Sequence, residues 1–356
     1  MQTVTTHTRV VIFRPGALGD TLTLAPVLWA LKAKHPEWTV WHLAEQPRFT
    51  HVVNAMEVAT LIPEISQTIL YDTRASFLGR LLKLRTALRP HKEDILLNLC
   101  YPRANSLKVL RDAAFFKGLG FRKLVGFREA FRDSLKSRRV GLPSESEYNR
   151  LLRHSRSLTG SAQGEPQGQL RQDSEFALEF CRKHGLTDCK LIALCAGSKM
   201  QAKRWPPERY AEMVAELSKE LGVTFIILGD RFDLESTALI QSKAPDACLS
   251  ALGASLLQSA GLLARCKLYV GNDTGTMHLA GLLRVPCVTL FSDRDHYSLW
   301  VPYGDQHTII RYSMPCGGCL LENCFASPAL CLDAISVREV VTAVRETWSR
   351  LVKRDG

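Results

Sequence analysis

YVGNDTGTMHLAGLLRVPCVTLF, residues 269–291, carries the decision about the fold. A β-rich run ends in Gly271-Asn272-Asp273, a helix opens at Thr274-Gly275, and a second apolar run, VPCVTLF, follows at once. Strand, short helix and strand in that order imply a parallel sheet covered by helices. The free N–H groups of the first helical turn, with the helix dipole behind them, suit a phosphate. Asp273 alone would serve as an N-cap, and a single His278 would read as a core histidine. Asp, Thr, Gly and His together at one strand end exceed what capping requires.

The same alternation extends outward in both directions. KLIALCAG, VTFIILGD, KLYVGND and PCVTLFSD read as strands in the second half, separated by helices such as PERYAEMVAELSKELG and SLLQSAGLLARC. In the first half RVVIF, WTVWHLA, TILYD and DILLNLC read as strands, with TLTLAPVLWALKAKHP and FLGRLLKLRTALRP as helical stretches between them. The polar segment SAQGEPQGQLRQDS, residues 161–174, reads as a linker. The expectation is an α/β protein of two Rossmann-like, doubly wound domains, residues 1–165 and 175–356, facing a central cleft. Ligands of such sheets bind outside the carboxyl ends of the strands.

Three further motifs fall at strand ends. CAGSKMQAKRWP offers a small-residue turn (Ala196, Gly197, Ser198) and then Lys203, the donors and point charge that a diphosphate needs. Its alternative is an exposed loop anchored by Trp205. In GDRFDLE, Asp233 or Glu235 can accept from ribose hydroxyls, or can simply favour a helix N-terminus. In FRPGALGD, a turn that ordinarily welcomes negative charge receives the carboxylate of Asp20, which is either a helix-start acid or a working group. GALGD is not G-x-G-x-x-G, so a nicotinamide enzyme is not expected.

Composition narrows the class. The chain has 356 residues, 46% hydrophobic, room for two cores. No stretch reaches the roughly 18 apolar residues of a spanning helix, and MQTVTTHTRVVIF holds no secretory apolar region. A cytoplasmic protein is expected. Cys100, Cys195, Cys266 and Cys287 sit singly in apolar contexts, as buried thiols do in a reducing compartment. The net charge of +11 is concentrated: residues 74–139 hold 17 lysines and arginines against five carboxylates. Such a field attracts nucleic acid, anionic lipid or an acidic glycan, and no helix-turn-helix, zinc-finger or RNP signature favours nucleic acid.

GALGD with its following Pro26, KRW at residues 203–205, and NDTGTMHLA followed by VPCVTLF and Trp300-Val301-Pro302 together resemble the glycosyltransferase family 9 heptosyltransferases. The likeness keeps the same order from Arg9 to about Val344. It implies the GT-B fold and an inverting transfer from ADP-L-glycero-D-manno-heptose to an inner-core lipopolysaccharide acceptor. On that reading Ser198, Lys199 and Lys203 contact the diphosphate, Asp233 the ribose, and backbone near Ala254 the adenine. Asp273 orients the heptose, while Thr274, Gly275 and His278 complete the phosphate site. Asp20 is the general base and Lys203 stabilises the departing diphosphate. The acceptor is an acidic glycolipid at the inner membrane leaflet, held by Arg74, Arg103 and Arg122, and the enzyme is peripheral there. No nucleic acid is involved.

Two features remain. Asp293-Arg294-Asp295 resembles a metal clamp, but an intervening arginine opposes a cation, and a polar loop after a strand is the plainer reading. Transfer without metal is expected, with Lys203 and a helix dipole in its place. Cys316, Cys319, Cys324 and Cys331 fall within sixteen residues, a spacing open to a structural zinc or iron site or to free thiols. Cysteine-bearing tails occur in the resembling family, and its autotransporter-glycosylating branch binds iron. Another nucleotide-sugar, a protein acceptor, or a non-catalytic nucleotide-sugar binder are the alternatives.

Overall fold

In the computed structural model, which describes residues 8–47, 53–101, 105–140, 145–161, 165–186, 190–296 and 298–355, the alternation becomes two separate parallel sheets. The chain divides into two units, Met1–Leu170 and Arg171–Gly356.

The first unit is built around β1 (Arg9–Phe13), whose VVIF run is buried throughout, as a central parallel strand requires. The chain continues through α1 (Leu18–Leu22), α2 (Ala25–Lys34), β2 (Thr39–Glu45), α3 (Ala55–Ala59) and β3 (Gln67–Tyr71). It then returns through α4 (Phe77–Leu88), β4 (Ile95–Asn98), α5 (Ser106–Leu119), β5 (Lys123–Val125), α6 (Phe127–Val140) and α7 (Glu147–Thr159). The strand order is β3-β2-β1-β4-β5, all parallel. The stretch read as one helix over residues 21–36 is two. The chain turns at Thr23 and Leu24, and Pro26 falls in the first turn of α2, where its missing N–H has no partner to lose. Leu84 and Leu88 of α4 and Phe116 and Leu119 of α5 pack on Val11 and Phe13 of β1. The two helices are neighbours, and α2 pairs with α7.

The second unit runs α8 (Ser174–Lys183), β6 (Leu191–Cys195), α9 (Pro207–Leu221), β7 (Thr224–Ile227), α10 (Leu234–Lys243), β8 (Cys248–Ser250) and α11 (Leu256–Arg265). It continues with β9 (Leu268–Asn272), α12 (Gly275–Leu282), β10 (Cys287–Leu290), β11 (Thr308–Ile310), α13 (Leu330–Asp333) and α14 (Val337–Asp355). The order is β11-β10-β9-β6-β7-β8, again parallel. Trp205 is fully buried in this core, edge-on to Tyr210 at 4.7 Å, and its Nε1 donates to the Ile335 carbonyl at 3.0 Å. Among the described residues no helix is long and apolar enough to cross a membrane.

Candidate active site

In the second sheet β6 and β9 are neighbours from which the chain winds in opposite directions, β6 to β8 one way and β9 to β11 the other. The loops after these two strands therefore open the crevice where doubly wound sheets take ligands. They are the two motifs CAGSKMQAKRW and NDTGT. Lys203, at the end of a three-residue 3₁₀ turn, places Nζ 2.5 Å from Asp273 Oδ2 and 3.2 Å from Asp295 Oδ2. Burial opposes the lysine's charge, but Asp273 and Asp295 outweigh it and hold the pKa above its ordinary value. Burial in turn pushes the Asp273 carboxyl upward against the pull of Lys203. Thr274 is the N-cap of α12 and Gly275 its first residue, so the free amides of that turn lie beside the Lys203–Asp273 pair in sequence and in space.

Asn272 fixes the two loops to each other, a role the sequence did not signal. Its Nδ2 donates to the Ala196 carbonyl at 2.7 Å, and its Oδ1 accepts from the Trp205 amide at 3.2 Å and the Tyr210 hydroxyl at 2.9 Å. Its partners lie 62 to 76 residues away, so no local pattern announces it.

The remaining donor-side candidates spread along the same edge. Asp233 precedes α10 and accepts from the Asp230 amide at 2.9 Å, while burial raises its pKa. Its carboxylate fills the space beside Gly197: a methyl built there would lie 2.4 Å from it. The ribose candidate is thereby brought against the diphosphate loop, whereas Glu235, two residues on, is exposed. Ser198 Oγ accepts from the Met200 amide at 3.3 Å, and Lys199 is exposed. Ala254 lies in the turn between β8 and α11. His278 is buried in α12 with its ring 6.2 Å from that of Trp300.

Asp293-Arg294-Asp295 is a polar loop after β10, as the plainer reading expects, but it is not left to solvent. Asp293 and Arg294 are buried: Asp293 Oδ1 takes the Arg311 guanidinium at 2.6 Å, and Arg294 pairs with Asp295 at 2.6 Å. Arg294 also donates to the carbonyls of Leu320 and Leu321. Both carboxylates are thus engaged by cations of the chain itself, and the motif fastens the cysteine-bearing segment to the unit. Gln201 Oε1 accepts from the Cys324 amide and the Ala202 amide donates to Glu322, so that segment also borders the Lys203 turn. Cys316, Cys319, Cys324 and Cys331 all line one small cavity with Ala202 and Arg294. Among the described residues, however, no three His, Cys, Asp or Glu side chains are grouped to hold an ion. The described cysteines are free thiols, with Cys195, Cys266 and Cys287 buried and Cys100 partly so.

In the first sheet the winding reverses between β1 and β4, and Asp20 stands in the first turn of α1, the helix that follows β1. Gly16, at φ +143°, makes room for it: a methyl there would lie 2.3 Å from the Asp20 side chain. One Asp20 oxygen accepts from the Ala17 amide at 3.2 Å and the other from Arg14 at 3.2 Å. Arg14 is fully buried, donating to the Leu99 carbonyl at 2.7 Å and to Glu147 at 2.5 Å. Arg150 grips the same Glu147 through Nε at 2.7 Å and Nη2 at 2.6 Å. Burial raises the Asp20 pKa above the ordinary carboxylate value. Arg14 and the Ala17 amide pull it down, and the charge of Glu147 adds to the rise. Glu147 itself is held low, because the two arginines outweigh its burial. Arg14, Glu147 and Arg150 were missed from sequence. Their only local trace is the i, i+3 spacing of Glu147 and Arg150 on one helix.

Of the basic acceptor candidates, Arg74 is exposed with Nε 3.0 Å from Asp72, Arg122 is exposed, and Arg103 lies outside the described residues.

The lipopolysaccharide heptosyltransferase 2 of Escherichia coli strain K12 is 27% identical over 301 residues, 80% of this chain and 82% of that protein. The crystal structure of a glycosyl transferase family 9 protein from Veillonella parvula superposes with a TM-score of 0.73 at 21% identity, covering 96% and 98% of the two chains. The E. coli ADP-heptose lps heptosyltransferase II structure gives 0.68 at 20%, covering 98% and 100%, and the fold is GT-B. Residues 81–329 match the family described as Glycosyltransferase family 9 (heptosyltransferase), and the chain belongs to that family.

Proposed function

We propose that this protein is an inverting glycosyltransferase that moves a heptose from ADP-L-glycero-D-manno-heptose to an acidic inner-core lipopolysaccharide acceptor. The observation that carries this reading is the Lys203–Asp273 pair beside the N-terminus of α12, at the switch point of the second sheet. A departing ADP needs its growing charge met without rearrangement, and a lysine held cationic plus the free amides of Thr274 and Gly275 supply that. Asp233 serves the ribose, backbone near Ala254 the adenine, and Ser198 and Lys199 the diphosphate. Asp20 accepts the proton of the acceptor hydroxyl as its oxygen attacks the anomeric carbon. A carboxylate with a raised pKa is a better base than an ordinary one. Asp273 turns the sugar and His278 supports the phosphate site.

No step in this scheme calls on a metal, since both acids of the Asp-x-Asp motif already hold cationic side chains. Arg74, Arg103 and Arg122 attract the acidic acceptor, and the enzyme works peripherally at the cytoplasmic face of the inner membrane. Acceptor KM should therefore rise with salt while donor KM stays level.

The test is Asp20→Asn. Turnover should fall roughly 10²–10⁴-fold, the usual scale for a general base, with ADP binding unchanged. Near-normal turnover would leave Asp20 as a helix-start acid only. For the donor, ADP at about 100 times its Kd should stabilise the fold by roughly 2.7 kcal/mol, and UDP or GDP should not.

A further inference from the structure

The outer faces of α4 and α5 expose apolar side chains that the fold does not use. Leu78 and Leu82 on α4 are 63% and 57% exposed, and Leu107 and Leu110 on α5 are 71% and 53% exposed. Phe77 is 60% exposed, with its ring edge-on to Phe115 at 5.6 Å, which joins the start of α4 to α5. Each helix already has a core face, Leu84 with Leu88 and Phe116 with Leu119, packed on the sheet. The spacings i, i+4 and i, i+3 align the exposed leucines on one further stripe per helix. Scattered single leucines need no explanation, but paired ones on adjacent helices do.

Basic side chains predominate around them. Lys83, Arg85, Lys108, Arg111 and Lys117 are exposed on the same two helices. The acids nearby are engaged: Asp112 takes Arg111 at 2.6 Å, Glu93 takes Lys123 at 2.7 Å, and Asp94 is buried against Arg9. Apolar side chains with a cationic rim match an anionic lipid surface.

Position supports the match. In a parallel sheet all strands end on one edge. Phe77 and Leu78 open the helix that follows β3, Leu107 stands at the start of the one that follows β4, and Asp20 is in the first turn of the one that follows β1. Leu78 and Leu107 thus lie on the same edge as the candidate base, with Leu82 and Leu110 one turn further along their helices.

We propose that this face docks the protein on an anionic phospholipid bilayer, with Leu78, Leu82, Leu107 and Leu110 entering the interface and the lysines and arginines meeting the headgroups. The proposal adds a bilayer-binding surface to the function above, and rests on that reading only for the reason such a surface is useful.

The test is sedimentation of the full chain with vesicles of phosphatidylethanolamine and phosphatidylglycerol, free of glycolipid, against phosphatidylcholine alone. Binding should require the anionic lipid and weaken with salt. The double variant L107E/L110E should partition about tenfold less or weaker still, while its thermal stabilisation by ADP and its transfer to a delipidated acceptor stay at wild-type levels. Vesicle binding contains no sugar chemistry, so it stands or falls apart from the proposed activity. Absence of binding to anionic vesicles, or equal binding by L107E/L110E, would overturn the proposal. So would a dimer in sedimentation equilibrium that the variant dissolves, which would make the face a contact between copies. Lost transfer to the delipidated acceptor would assign it to the acceptor site and overturn the proposal equally.

Discussion

Replacing Glu147 by glutamine should damage the fold and the chemistry together, and by different routes. Arg14 and Arg150 both bond to Glu147, at 2.5 and 2.6 Å, and Arg14 and Glu147 are fully buried. With Asp20 included, the cluster holds two cations and two anions. Glu147→Gln removes the carboxylate that both guanidinium groups bond and leaves Arg14 its contact with Asp20. Breaking a buried pair in this way costs about 3–5 kcal/mol, because the remaining charge stays desolvated. Since the chain divides into two units, the measurement should be local. Amide exchange in peptides spanning β1 and β4 should quicken by roughly two to four orders of magnitude, while peptides from β6 and β9 stay as they were. The chemistry responds because the negative charge of Glu147 raises the Asp20 pKa. Without it that pKa falls, so the acidic limb of kcat/KM against pH moves to lower pH. Glu147→Asp, which keeps the charge, should leave the limb near its wild-type position. Unchanged exchange, or a limb that stays in place in Glu147→Gln, would refute the account of this cluster.

Three other outcomes are expected. Lys203→Ala should weaken ADP binding about tenfold or more in calorimetry, because a charge-assisted contact is lost, and unchanged affinity would remove Lys203 from the diphosphate site. Asn272→Ala leaves the Tyr210 hydroxyl, the Trp205 amide and the Ala196 carbonyl without their partner. It should destabilise the second unit by about 3 kcal/mol in denaturant unfolding. Burial lowers the His42 pKa from 6.5 to about 4. The unfolded chain therefore takes up a proton first as pH falls, and stability should decline by about 3 kcal/mol from its neutral-pH level as pH falls from 6.5 to 4. His42→Gln should flatten that part of the stability curve.

The fold was legible where strands are buried on both faces. RVVIF, KLIALC and PCVTLF carry enough β-branched and aliphatic residues to stand out, and each became an interior strand with a neighbour on both sides. Lys123–Val125, Cys248–Ser250 and Thr308–Ile310 are three-residue edge strands with one partner each, too short for any period to show. The donor-side site was legible because its residues cluster at strand ends: Lys203 and Asp273, read from separate motifs, are in contact. What escaped was everything set by long-range closure. Arg14 finds Glu147 across 133 residues, and Asp293 finds Arg311 across a loop that looked merely polar. Burial, not spacing, makes those charges matter, and burial is a property of the folded chain.

The seat of Asp233 against Gly197 has a consequence for how this sequence tolerates change. The backbone of Gly197 is unexceptional, so its glycine is held there by the neighbouring carboxylate, which occupies the volume of the missing methyl. Gly197→Ala alone should push Asp233 from its place, while Asp233→Ser alone should empty a polar niche. Combined, the two changes fit each other's shape, so the double variant should be more stable than Gly197→Ala by itself. The effect of a substitution at one position then changes sign with the residue at the other. A survey that scored the two positions one at a time would record two intolerant sites where the molecule has a single shared volume.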